Sequence, residues 1–312
     1  MEYNTSAAAK IAERLRLTGV LEQLSTCIGG SGLNTLLLEI FRRRAEKLSP
    51  SALLGLYRAN RLVQPSRTPV LALRELEYKM LLVAQNAGFE LVELSPAAQL
   101  GACSVIAPVH QDKVLSALRN CEIMADSTNA LALHDAALQK SAQAGTRDYA
   151  SVSRLLRTPK ADVKGHSAHF SIACLVSAGK DAGNFNFEAS ALVRQFDAHC
   201  RLLTDVFGFG NIRFALIPLG GDGSKVLAER CAAELRAFLP HVCAEIRDSD
   251  LEQNYYDRLQ VKIDVCLGDT WYEVADGGCV NWAAKLLNNK KQRMFTSGLG
   301  LEYLLHLKNN SG

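Results

Sequence analysis

The stretch "LQVKIDVCLGDTWYEVADGG", residues 259–278, does most to limit what this chain can fold into. Two strand-like runs meet at Gly268-Asp269, a dipeptide that favours the tight turn of a β-hairpin. A hairpin makes its two strands antiparallel, so the sheet that contains them is antiparallel at least there. Around it, "FELVEL", "HFSIACLVSA", "RFALIPL" and "HVCAEIR" read as further strands. "VLALRELEYKMLLVAQNAG", "FEASALVRQFDAHCRLLTDVF" and "GSKVLAERCAAELRAFL" read as helices, the first ended by Gly88, and two closing helices flank the strand before Gly298. Strands and helices mix without a regular βαβ rhythm, which predicts an α+β domain on an antiparallel sheet.

Ahead of this region the period is helical. "KIAERLRLTGVLEQL" carries apolar residues at 11, 15, 17, 20, 21 and 24, "CIGGSG" interrupts it, and "LNTLLLEIFRRRAEKL" follows. Ser49 before Pro50 predicts a capped third helix with proline at its first position. "VQPSRTP" reads as a linker, so the expected domains are a helical, basic region 1–68 and a core domain 69–312. The first 68 residues hold ten Lys/Arg and five Asp/Glu, although the whole chain is only +3. A basic leader of this kind suits RNA or an acidic protein, and a solvated helix face is the plainer reading.

With 48% hydrophobic and 21% charged residues, the composition is that of a globular protein. No apolar run is long enough to span a bilayer, and "MEYNTSAAAK" is not a secretory signal. Nine cysteines without a CxxC pair predict reduced thiols in a cytoplasmic setting, with no structural metal.

Three segments, in order, resemble the motifs of class II aminoacyl-tRNA synthetases. The helix leading to "GFELVELSP" resembles the first, which in that family builds the dimer interface. "LLRTPKADVKGHSAHFSI" resembles the second: Arg157 takes the arginine position, Pro159 stands where glutamate is usual, and His166 and Phe170 keep the His-xxx-Phe spacing. "SGLGLEYLL" resembles the third, glycines followed by Glu302, with Tyr303 where the family has arginine. Within the class, "NYYDRLQVKIDV…YEVADGGCVNWAAKLL" is most similar to histidyl-tRNA synthetase. Asn254-Tyr255-Tyr256 and Gly277-Gly278 are kept, whereas Leu251 and Cys279-Val280-Asn281 replace an arginine and an Arg-Tyr-Asp run.

The resemblance implies a class II synthetase-like antiparallel sheet flanked by helices, with an N-terminal helical extension. It implies that Arg157 contacts an α-phosphate and would be the catalytic cation of a working enzyme. Phe170 would stack on adenine, His166 and Glu302 would complete the nucleotide side, and Tyr255, Tyr256, Gly277 and Gly278 would line an amino-acid pocket. The cofactor would be ATP with Mg2+, or none if activation is lost. Activating a carboxylate with ATP accumulates negative charge, which needs cations where it develops. Tyr303 and Leu251 supply none, and neither replaces the bidentate grip of arginine.

Two function classes follow. One is a regulatory or accessory paralogue that binds an amino acid, similar to the regulatory subunit of ATP phosphoribosyltransferase. The other is an active, non-standard aminoacyl-tRNA synthetase or amino-acid ligase whose basic leader holds tRNA. With ten residues after Glu302, a C-terminal anticodon-binding domain of the histidyl type is not expected. Either way the expected assembly is a homodimer, with residues 1–68 meeting tRNA or a protein and no membrane involved.

Several features are read as structural. "LGGDGSK" does not match a phosphate loop, and Ser224 is expected to cap a helix there. His166-x-x-His169 lacks enough ligands for zinc. His199-Cys200 sits at core spacing, and Arg42–Arg44 reads as a solvated face. Tyr255-Tyr256 fits either packing at a strand start or a pocket wall.

Overall fold

The structure, a computed structural model, describes residues 5–139, 145–159, 167–248 and 255–310. The leader comprises α1 (Thr5–Arg14), α2 (Val20–Glu22, running into a π-helical turn to Cys27), α3 (Gly30–Ala45) and α4 (Pro50–Ala59). Then come α5 (Val70–Asn86), β1 (Glu90–Leu91), β2 (Ala97–Gln99), β3 (Cys121–Ile123), α6 (Ser127–Gln139), β4 (Arg147–Leu156) and β5 (His169–Lys180). The second half holds α7 (Asn186–Arg201), β6 (Ile212–Pro218), α8 (Asp222–Phe238), β7 (Cys243–Ile246), β8 (Leu259–Leu267) and β9 (Thr270–Val280). It closes with α9 (Trp282–Leu286), β10 (Gln292–Gly300) and α10 (Leu301–Asn310).

The expected hairpin is present: Leu267 pairs with Thr270, and Gly268 takes a φ of 61°, which costs glycine little. It belongs to an eight-stranded sheet in the order β1-β4-β5-β10-β9-β8-β6-β7. Neighbours run antiparallel from β4 through to β6. The edges differ from the expectation, because β1 lies parallel to β4 and β7 parallel to β6. Each parallel pair is joined by a long connection, as parallel pairing demands; α8 spans the β6–β7 crossover. β1 is also shorter than "FELVEL" suggested, since only Glu90 and Leu91 pair as strand before the chain turns away.

Successive side chains of β10 point to opposite faces. Phe295 joins α7 and α8 on one face, in a core with Leu192, Phe196 and Phe214. Met294 faces the other way, into a core with Leu131 of α6, Tyr149 of β4 and Trp282 of α9. Helix α5 closes the first core with Leu73, Leu76, Met80 and Ala84, one helical stripe.

The leader is built differently. Ser49 caps α4 as expected, accepting from the Ala52 amide at 3.2 Å with Pro50 at the first turn. The single helix expected over "KIAERLRLTGVLEQL" is two, because Arg16 and Gly19 take φ values of 58° and 79°. Among the described residues, none before Leu73 is buried. The linker is nevertheless tied down: Ser66 Oγ donates to Glu302 at 3.0 Å, His169 Nε2 to the Gln64 carbonyl at 2.7 Å, and the Arg61 guanidinium to the Thr158 carbonyl.

Met80→Ala, which empties a site only 1% exposed, should cost about 2–5 kcal/mol in urea denaturation. Gly55→Ala, in exposed α4 with nothing within 4 Å of the new Cβ, should leave stability unchanged or raise it by up to about 1 kcal/mol. Equal losses in both variants would contradict this division between core and leader.

Candidate functional site

A cleft of about 1190 Å³ opens on the sheet face that α6 and α9 leave uncovered. That is room for more than one small molecule, since ordinary ligand sites hold about 300–1,000 Å³. Its floor is the C-terminal half of β10, where Thr296, Gly298 and Gly300 line it. A Cβ on Gly298 would meet only ordinary contacts, the nearest at 3.7 Å, so packing does not require glycine there. Its effect is to keep the floor flat where a ligand would approach the backbone.

One end of the cleft is cationic. Arg157 follows β4 directly, its Nε donates to the Ala125 carbonyl at 3.1 Å, and its guanidinium lies over the Phe170 ring at 5.4 Å. Leu155 pairs with Phe170 across the β4–β5 ladder, which is what brings these two predicted residues together. No carboxylate pairs with Arg157 among the described residues, so its charge is available to an anion. Lys113 lines the same end. Pro159 is at the rim and exposed, while His166, Leu251 and Asn254 lie outside the described residues.

The third-motif residues meet a different fate. Glu302 borders the cleft, but Oε1 accepts from Ser66 at 3.0 Å and from Arg154 at 3.0 Å, and Oε2 accepts from the Ser171 amide at 3.3 Å. Its carboxylate is thereby committed to joining linker, β4, β5 and α10. Tyr303 lines the cleft one residue on, and burial raises its hydroxyl pKa, helped by Tyr272 and Glu273. It brings no positive charge.

Beside Arg157, which contacts the Ala125 carbonyl, the lining is acidic and aromatic. Asp126 heads α6: Oδ1 accepts from the Thr128 amide at 2.9 Å and from the Thr128 hydroxyl at 2.6 Å, an N-cap arrangement. Its Oδ2 accepts the Tyr255 hydroxyl at 2.6 Å. Tyr255 stands edge-on to Tyr256, with ring centres 4.9 Å apart, and to Trp282 at 5.3 Å. Both tyrosines line the cleft and pack against the second core. Burial, then the neighbouring Asp126 for Tyr255 and Asp276 for Tyr256, pushes both hydroxyls well above their usual pKa.

Gly277 and Gly278 are buried between strands and are absent from the cleft wall. A Cβ on Gly278 would meet the Leu259 carbonyl at 2.3 Å and Tyr256 Cδ1 at 2.7 Å. Glycine there lets the Tyr256 ring lie against the sheet, so these glycines shape the pocket without touching its contents. Asp276, just before them, does line the cleft and accepts from Gln260 Nε2 at 3.1 Å. Burial raises its pKa from 3.8 to about 6.

Sequence reading passed over Asp126, Thr128, Gln260 and Asp276. The signal for the first two was present: Asp-Ser-Thr ahead of "NALALHDAAL" is a helix start. The structural readings fare as follows. His199 is buried and His199 Nε2 lies 2.8 Å from Ser297 Oγ in the α7 core. Arg42 and Arg43 are exposed and paired within α3 to Glu39 and Glu46. The expected cap at Ser224 is not one, since α8 begins at Asp222 and the Ser224 hydroxyl donates back to the Leu219 carbonyl at 2.6 Å. No metal-binding cluster occurs among the described residues, and no described helix is long and apolar enough to cross a membrane.

No family model and no curated protein matches this sequence. Solved structures do match in shape. The chain is similar to a histidyl-tRNA synthetase of Staphylococcus aureus, with 13% identity and a TM-score of 0.57, over 76% of this chain and 65% of that one. It is similar to an ATP phosphoribosyltransferase regulatory subunit/histidyl-tRNA synthetase from Bacillus halodurans, with 11% identity and a TM-score of 0.58, over 79% and 83%. A pyrrolysyl-tRNA synthetase of Desulfitobacterium hafniense aligns at 16% identity and a TM-score of 0.51, over 77% and 70%. The chain therefore has a class II synthetase-like fold, and it spans just under two thirds of the first synthetase.

Because Asp276 has a folded pKa above its unfolded one, its contribution favours the fold below pH 3.8 and is lost as pH rises through 6. Asp276→Asn removes that loss. The variant should be more stable than wild type at pH 8 by about 1–3 kcal/mol, each pK unit being about 1.4 kcal/mol, with no gain near pH 4. Thermal melts at the two pH values check this, and a pH-independent difference would contradict it.

Proposed function

We propose that this protein binds an amino acid in a regulatory or accessory role, on a class II synthetase-like fold that has lost efficient carboxylate activation. The observation that carries this reading is that one cleft offers both charges close together: Asp126 with Tyr255, and Arg157 over Phe170, its Nε on the Ala125 carbonyl next to Asp126. An amino acid carries its two charges on neighbouring atoms in the same way, its ammonium suited to Asp126 and its carboxylate to Arg157. Charge-assisted hydrogen bonds to both would orient it in the cleft. The solved relative described as a regulatory subunit of ATP phosphoribosyltransferase supports the role by analogy of fold.

A nucleotide fits this site only in part. Arg157 and Phe170 suit an adenine ring and one phosphate. A magnesium-bound triphosphate is not matched among the described residues, because Tyr303 is neutral and the Glu302 oxygens already accept from Ser66, Arg154 and Ser171. Restoring one cation should recover little: losing a single transition-state contact costs about 3 kcal/mol, but groups that act together do not add. Wild type and Tyr303→Arg should both show no amino-acid-dependent ATP–pyrophosphate exchange. Robust wild-type exchange, abolished by Arg157→Ala, would overturn the reading in favour of a working ligase.

The same reading includes a homodimer. Helix α5 has a second apolar stripe, opposite its core stripe, on which Leu71, Tyr78 and Leu82 are exposed, Leu71 by 85%. A two-fold axis beside α5 would bury this face against its own copy. The leader is the surface for a further partner, and its exposed Ile11, Leu15, Phe41 and Leu53 favour a protein over RNA. Two of its arginines are already paired within α3, which weakens its draw on phosphates. Sedimentation should give a dimer at micromolar concentration, and Leu71→Glu should give a monomer. A monomeric wild type would remove the dimer from the proposal.

A further inference from the structure

The acidic end of the cleft carries more negative charge than one ammonium group accounts for. Asp126 sits at the head of α6, and Asp276 reaches the same cleft from β9, with the Tyr255–Tyr256 pair in contact with both carboxylates. One cation is close at hand. Lys262 stands directly across the ladder from Asp276, but its ammonium is taken by Glu273 at 2.7 Å. Among the described residues Asp276 accepts hydrogen bonds from neutral donors alone, the Gln260 amide at 3.1 Å and the Tyr256 hydroxyl, while Lys262 acts on it only at a distance. A half-buried carboxylate held only by neutral donors is poorly compensated, and a cation supplied by a ligand would correct that.

Two further observations point the same way. Ser127, in the cleft wall beside Asp126, is 1% exposed, and its Oγ has no hydrogen-bond partner among the described residues beyond the weakly polar Cys174 thiol beside it. The adjoining wall is made of the Tyr255 and Tyr256 rings, edge-on to each other, and aromatic rings attract a desolvated cation.

We infer that Asp276 is a specificity-determining residue that receives a second cationic nitrogen, so that the ligand is an amino acid whose side chain ends in a positive charge. This rests on the amino-acid reading above, with Asp126 taking the α-ammonium and Asp276 the side-chain cation. The Lys262–Glu273 pair then has a role in the selection: it occupies the ammonium across the ladder and leaves Asp276 to the ligand. Acidic side chains would meet Asp126, Glu273 and Asp276 together and be excluded by like charge.

Titration calorimetry of the full chain with lysine, ornithine, arginine, norleucine, glutamate and cadaverine tests this. Norleucine matches most of lysine's length without the terminal ammonium. At least one basic amino acid should bind tenfold or more tightly than norleucine, and glutamate should not bind. In Asp276→Asn that advantage should fall to within about twofold while norleucine binding stays as it was. Norleucine binding as tightly as every basic amino acid would overturn the inference and leave the amino-acid reading standing. So would an Asp276→Asn variant that weakens all amino acids alike. Cadaverine binding with no amino acid binding would keep the second cation site and overturn the amino-acid reading. Silence from every probe would overturn both.

Discussion

β10 is the strand on which the molecule depends, because it is hydrogen-bonded along both edges, to β5 over its whole length and to β9 over most of it. A strand in mid-sheet must satisfy its backbone on both sides and bury side chains on both faces. Behind it, α7 meets this demand with a buried polar chain. Gln195 Nε2 donates to Ser177 Oγ at 2.9 Å and to the Phe295 carbonyl at 3.0 Å, and Ser297 Oγ donates to Gln195 Oε1 at 2.7 Å. With the Ser297 proton so directed, His199 donates to it from Nε2 at 2.8 Å. Burial lowers the His199 pKa to about 3, so it remains neutral at ordinary pH and the chain keeps one pattern of donors. In front, the same strand presents Thr296, Gly298 and Gly300 to the cleft.

The site follows from how the strands beside β10 deliver their ends. β4 and β5 bring Arg157 and Phe170 together by register, and β9 brings Asp276. α6 begins at the cleft with Asp126 already engaged as its cap, so the carboxylate that borders the cleft also starts the helix. Glu302 works in the opposite sense. A residue at a position associated with nucleotide chemistry here ties the linker to the core through Ser66, which connects the leader to the edge of the cleft.

Much of the frame was legible along the chain. Gly268-Asp269 announced the hairpin, the apolar stripe of α5 announced its buried face, and Ser49-Pro50 announced the start of α4, because each signal is local and acts within a few residues. The motif spacings led to Arg157 and Phe170 for the same reason, since one follows β4 and the other begins β5, its paired neighbour. The region between Pro96 and Ile123 was not legible, because its short strands pair only with each other across some twenty residues of irregular turns. Asp126, just beyond, was overlooked although its helix start can be read. The parallel edges escaped notice for a related reason: alternation along a strand does not say which neighbour it pairs with or in which direction.

By itself, the sequence determined most of the elements, the hairpin, the basic leader and a neutral residue at Tyr303, which are properties of residues and their near neighbours. Tertiary structure alone decided that Glu302 is a structural tie, that Gly277 and Gly278 make room for Tyr256, and that Asp276 shares a cleft with Asp126. Those facts depend on which side chains from distant strands converge and which partners they have already taken. A carboxylate reads the same in sequence whether an arginine or empty space faces it, and only the folded geometry sets its charge balance.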